Sequence, residues 1–85
     1  MGYGKEMVAI ELLLIGLAVP YESYAHGDVF FVFNPITGER AGTIVDAFTH
    51  FEWTNATDDR TYELTGKAVI ESLCHWHATL QEGKP

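Results

Sequence analysis

Cysteine is almost missing from this chain of 85 residues: Cys74 stands alone. No intramolecular disulfide can form, and a reducing, cytoplasmic setting is the expectation. Basic residues are nearly as scarce. There are 5 Lys and Arg against 12 Asp and Glu, a formal charge of −7. Such a surface repels phosphate, which argues against direct binding to nucleic acid or an anionic membrane and in favour of a basic partner. No apolar run reaches the ~20 residues of a membrane span. The longest, from Met7 to Val19, is also interrupted by Glu11. With Lys5 before it and Ser23-Tyr24-Ala25 after it, this run imitates a secretory signal, and Glu6 and Glu11 argue against that reading. Also missing are a Gly-x-Ser-x-Gly elbow, a phosphate-cradling glycine loop, a dinucleotide fingerprint, internal repeats and low-complexity segments. No enzyme class and no cofactor is indicated by what remains.

What is present is a folded domain. A content of 47% hydrophobic and 13% aromatic residues separates the chain from disordered acidic tails, and its length allows one domain, residues 1–85, with one core. The clearest element is KAVIESLCHWHATLQ, Lys67 to Gln81. At a helical period Val69, Ile70, Leu73, Cys74, Trp76, His77 and Leu80 form one stripe, with Lys67, Glu71, Ser72, His75 and Thr79 opposite. Gly83, Lys84 and Pro85 then supply a helix stop. The run from Lys5 is rich in Met, Ala, Glu and Leu, which favours a helix ending near Gly16, with Pro20 beyond it. A strand reading, apolar on both faces, competes for the same residues. In either form the segment carries enough apolar surface to be buried against a sheet or in a dimer contact.

Between these elements the pattern is that of strands. Tyr21 to Gly27 reads as a connection. Val29 to Phe33 is a dense β-forming run, Asn34-Pro35-Ile36-Thr37-Gly38 is turn chemistry, and Ala41 to Phe48 runs back as a hairpin partner. Thr49 to Thr54 and Arg60 to Leu64 are further strand candidates, separated by a loop from Asn55 to Asp59. The expected fold class is α+β: an antiparallel meander of three to four strands packed by the C-terminal helix, with a helix at the N-terminus, an αβββα-like order. That order resembles the architecture of double-stranded-RNA-binding domains. The family's second helix begins in a lysine-rich stretch approached by glycines, whereas only Lys67 follows Gly66 here. In outline the short sheet, Thr-rich turn and helix are also similar to bacterial antitoxins of the HicB kind.

Three kinds of residue could carry function. Cys74, His75 and His77 offer zinc-ligating atoms, but on a helix His75 points away from His77, which leaves Cys74 and His77 as a weak candidate pair short of two ligands. The reading favoured instead is a buried small Cys74, a stripe-edge His77, and no metal. The aromatic residues exceed what one sheet face requires. Phe30 and Phe31 point to opposite faces of one strand, so a large ring is exposed unless both faces are covered. Exposed rings among carboxylates suit an interface with a basic partner. The expected partner-binding residues are Asp46, Glu52, Asp58, Asp59, Glu63 and Glu71 for steering and Phe51, Trp53 and Tyr62 for anchoring. The functional expectation is a non-enzymatic acidic module that blocks a basic, nucleic-acid-binding surface of a larger protein. In size and charge it resembles phage anti-CRISPR proteins and antitoxins. The alternatives are a homodimer or assembly subunit joined through Met7 to Val19, and a small metal-binding enzyme using Cys74 and His77.

Overall fold

The computed structural model describes residues 2–82, with side chains from Glu6 onward. Helix α1 spans Gly2–Gly16, followed by strands β1 (Tyr21–Tyr24), β2 (Val29–Phe33), β3 (Arg40–Asp46), β4 (Phe51–Asn55) and β5 (Thr61–Leu64), and helix α2 (Gly66–Glu82). The strands form one antiparallel sheet in the order β1-β2-β3-β4-β5. The α+β meander between two helices is therefore present. It has five strands, because Tyr21–Tyr24, expected as a connection, pairs with β2 as an edge strand. Its YESY sequence hides little apolar surface, which is why alternation does not reveal it. The stop expected at Gly83, Lys84 and Pro85 lies outside the described residues.

Helix α1 forms where propensity places it and ends by a defined device. The Val19 N–H donates to the Leu14 carbonyl (2.9 Å) and the Ala18 N–H to the Ile15 carbonyl (3.0 Å). This is the paired bonding of a Schellman cap, with Val19 and Leu14 both buried beneath it. Helix α2 is capped by the preceding Thr65, whose Oγ1 accepts the Ala68 N–H at 3.1 Å. Gly66 fits at this start because a Cβ there would overlap the carboxylate of Glu6 and lie 3.3 Å from the Phe51 ring.

Both helices cover the same face of the sheet. Met7, Ile10 and Leu14 of α1 and Val69 and Leu73 of α2 close over Phe30, Val32, Ile44 and Phe51. Ile10, Leu14, Val32 and Ile44 are 0% exposed; each such side chain contributes about 1.5–3 kcal/mol on burial. The opposite sheet face carries no helix. There Tyr24 meets Phe31 at 4.7 Å between ring centroids, and the Arg40 guanidinium lies 5.6 Å from the Phe31 centroid. No helix among the described residues is long and apolar enough to cross a membrane.

Candidate functional site

The two helices do not cover the sheet evenly. Phe51 and Trp53 lie two residues apart on β4 and so share a face, but Phe51 sits beneath the start of α2 and is 1% exposed, whereas Trp53 is half-buried. Beside this contact an open cleft of about 540 Å³ lies between the sheet and α2. Its apolar walls are Trp53, Tyr62 and Leu64 from the sheet and Val69, Leu73 and Trp76 from α2. Trp53 and Tyr62 are direct partners across the β4–β5 pair. The benzo edge of Trp53 lies against Gly42 of β3, where a Cβ would overlap the ring, so the indole is seated on the sheet only because that position is glycine.

Two turns make the polar mouth. Asn34 and Thr37 belong to the β2–β3 turn, in which Asn34 Oδ1 accepts the N–H groups of Ile36 (2.8 Å) and Thr37 (3.2 Å) and Gly38 adopts φ 78°. Asn55 and Thr57 belong to the β4–β5 turn, in which Asn55 Oδ1 accepts the Thr57 N–H at 2.8 Å. Both asparagine side chains are therefore engaged in shaping their own turns. Asp58 and Asp59 follow Thr57 in the second turn, and Glu39 lines the cleft from the first. Arg40 also contributes to the lining, but its guanidinium is on the far face of the sheet over Phe31.

The expected site residues divide accordingly. Trp53 and Tyr62 come together in the cleft, with Asp58 and Asp59 in the bordering turn and Glu71 exposed beside the lining residue Ser72. Phe51 is a core residue beneath α2, so it is not available as an anchor. Glu52 and Glu63 face each other directly across β4 and β5 on the opposite sheet face, where His50 Nε2 lies 3.2 Å from Glu52. Asp46 is at the other end of the sheet, its Oδ1 accepting the Phe48 N–H at 3.0 Å. Cys74 is exposed, not part of the buried stripe, and no group of three or more His, Cys, Asp or Glu among the described residues could hold a metal.

Sequence patterning places Trp76 only on the packed stripe and does not bring Glu39, Asn34 or Gly42 into a site. The available signal is Gly42, an isolated glycine within a β-forming run, which marks a close approach by a neighbouring side chain. Chemically the cleft offers aromatic contact surface, a fixed turn-built rim and an acidic approach, features of recognition. No family model matches the chain, nor does any curated protein or solved structure.

Proposed function

We propose that this chain is a non-enzymatic acidic binding module that docks on a basic surface of a larger protein and blocks the nucleic-acid contact of that surface, in the manner of small phage inhibitors and antitoxins. The observation that carries this reading is the convergence of Trp53, Tyr62 and Trp76 in one open cleft bordered by Glu39 and the Asp58-Asp59 turn. Rings of this kind supply contact energy and the carboxylates steer a positively charged partner. The rings receive a side chain from the partner, because they line a concavity. Immobilised wild-type chain is expected to retain a basic partner at low salt. The Trp53→Ala variant and the Asp58→Lys/Asp59→Lys double variant should each lose it. Retention unchanged in both variants rejects the reading.

A second reading, a homodimer, is favoured by one feature of α1. Val8, Leu12 and Ile15 are 54%, 62% and 58% exposed and share one helix face. Sedimentation equilibrium of wild type against Leu12→Gln separates the readings: a dimer that dissociates in the variant supports this one, and a wild-type monomer removes it.

A further inference from the structure

We propose that the cleft receives the guanidinium of an arginine side chain presented by the basic partner, an inference that rests on the docking reading above and names the group recognised. Three observations converge on it. The first is the wall. Gly42 leaves room for the Trp53 ring to lie on the sheet, and Trp76 and Tyr62 line the same space. Aromatic faces attract a planar, weakly hydrated cation, which can stack as well as interact with the ring quadrupole.

The second observation is the charge. The ionisable side chains that line the cleft are Glu39, Arg40 and Tyr62. Arg40 directs its guanidinium to Phe31 on the other sheet face, at 5.6 Å from the ring centroid. Glu39 therefore carries the charge of the lining, and the adjoining turn, where Asp58 and Asp59 are followed by Arg60, adds one net negative charge. The fold itself thus pairs its own guanidinium with a ring on one face, and among the lining residues of the cleft it leaves rings with a carboxylate and no cation directed at them. The third observation is size. A cleft of about 540 Å³, open to solvent, admits a long side chain together with part of the backbone that bears it.

The chain contains 2 tryptophans, and both line the cleft, so tryptophan emission reports on this site alone. The test is a fluorescence titration of the full chain with N-acetylarginine amide and with N-acetylcitrulline amide, which has nearly the same shape and no charge. The expected result is a saturable change with the arginine probe and binding roughly 5- to 30-fold weaker with citrulline. Glu39→Gln, an exposed substitution, should weaken the arginine probe and leave citrulline unchanged. Equal binding of the two probes overturns the inference, as does the absence of a saturable response to arginine across the millimolar range. If partner retention still depends on Trp53 and on Asp58 and Asp59 while the arginine probe fails, this inference falls and the docking reading stands. If retention is indifferent to those residues while the probe binds, the docking reading falls, and with it the partner as the source of the arginine, and guanidinium recognition by the cleft alone stands.

Discussion

Ala18 sits at φ 58° in the position of the α1 cap where a left-handed residue is required. For a residue with a Cβ this conformation costs about 1–2 kcal/mol, while glycine adopts it without strain but gives up roughly 0.4–1 kcal/mol through its freer unfolded chain. Relief of strain outweighs the loss. Ala18→Gly is expected to raise the unfolding free energy by about 0.5–1 kcal/mol in a denaturant titration, with an unchanged slope. A loss of stability would mean that the cap is not formed this way. Phe48 poses the same question from the other side. It is 76% exposed at φ 77°, inside a tight turn closed by the Thr49 N–H on the Ala47 carbonyl at 2.9 Å. Residue identity alone does not reveal such positions, because the conformation is set by the strands on either side. The fate of Phe51 and Trp53 has a similar cause. Alternation in FEWTN puts both on one face, which is legible. Which of them becomes core and which becomes a cleft wall depends on where α2 begins to lie over β4, a tertiary fact fixed by Gly66 and Val69.

At the scale of elements, α1 is held to the sheet by more than apolar contact. The Tyr21 hydroxyl of β1 donates to Glu11 at 2.6 Å. This explains the acidic residue inside the apolar run that begins at Met7: Glu11 accepts a bond from the edge strand that follows. Bonding to Glu11, with smaller contributions from burial and from the carboxylate charge, raises the Tyr21 pKa above its ordinary value. The sign of the linkage follows. A folded pKa above the unfolded value near 10 stabilises the fold fully below that pH, and the contribution is lost as pH rises through the folded pKa. Tyr21→Phe should therefore lower stability by about 1 kcal/mol at neutral pH. The gap between variant and wild type should narrow above pH ~10. A gap constant with pH would place the cost in packing and not in the hydrogen bond. The elements themselves are largely legible. The stripe of α2, the propensity of α1 and the turn chemistry of Asn34 to Gly38 each predict what forms. The edge strand β1 is not, since three of its four residues are exposed and its register comes from β2.

At the scale of the whole molecule, charge acts on folding and on binding with opposite signs. The chain carries a formal charge of −7 within a radius of gyration of 12.2 Å. Among the described residues the ion pair formed is that of His50 with Glu52, which requires a protonated histidine. Like charges 20 Å apart repel by about 0.2 kcal/mol in water, a small energy that many pairs share. At about 0.01 M salt the Debye length is roughly 30 Å, longer than the molecule's own radius, and at about 0.15 M it is roughly 8 Å. Self-repulsion therefore acts across the whole fold in the first condition and only between neighbours in the second. An expanded chain feels it less, so salt should stabilise the folded state, by an amount on the order of 1 kcal/mol over this range. The same screening should weaken the hold on a basic partner. Thermal melts and partner retention measured over one salt series are expected to move in opposite directions. Unfolding cannot explain loss of retention under conditions in which the fold has become more stable. Retention that stays level while the melting temperature climbs would show that the carboxylates around the cleft do not draw the partner in.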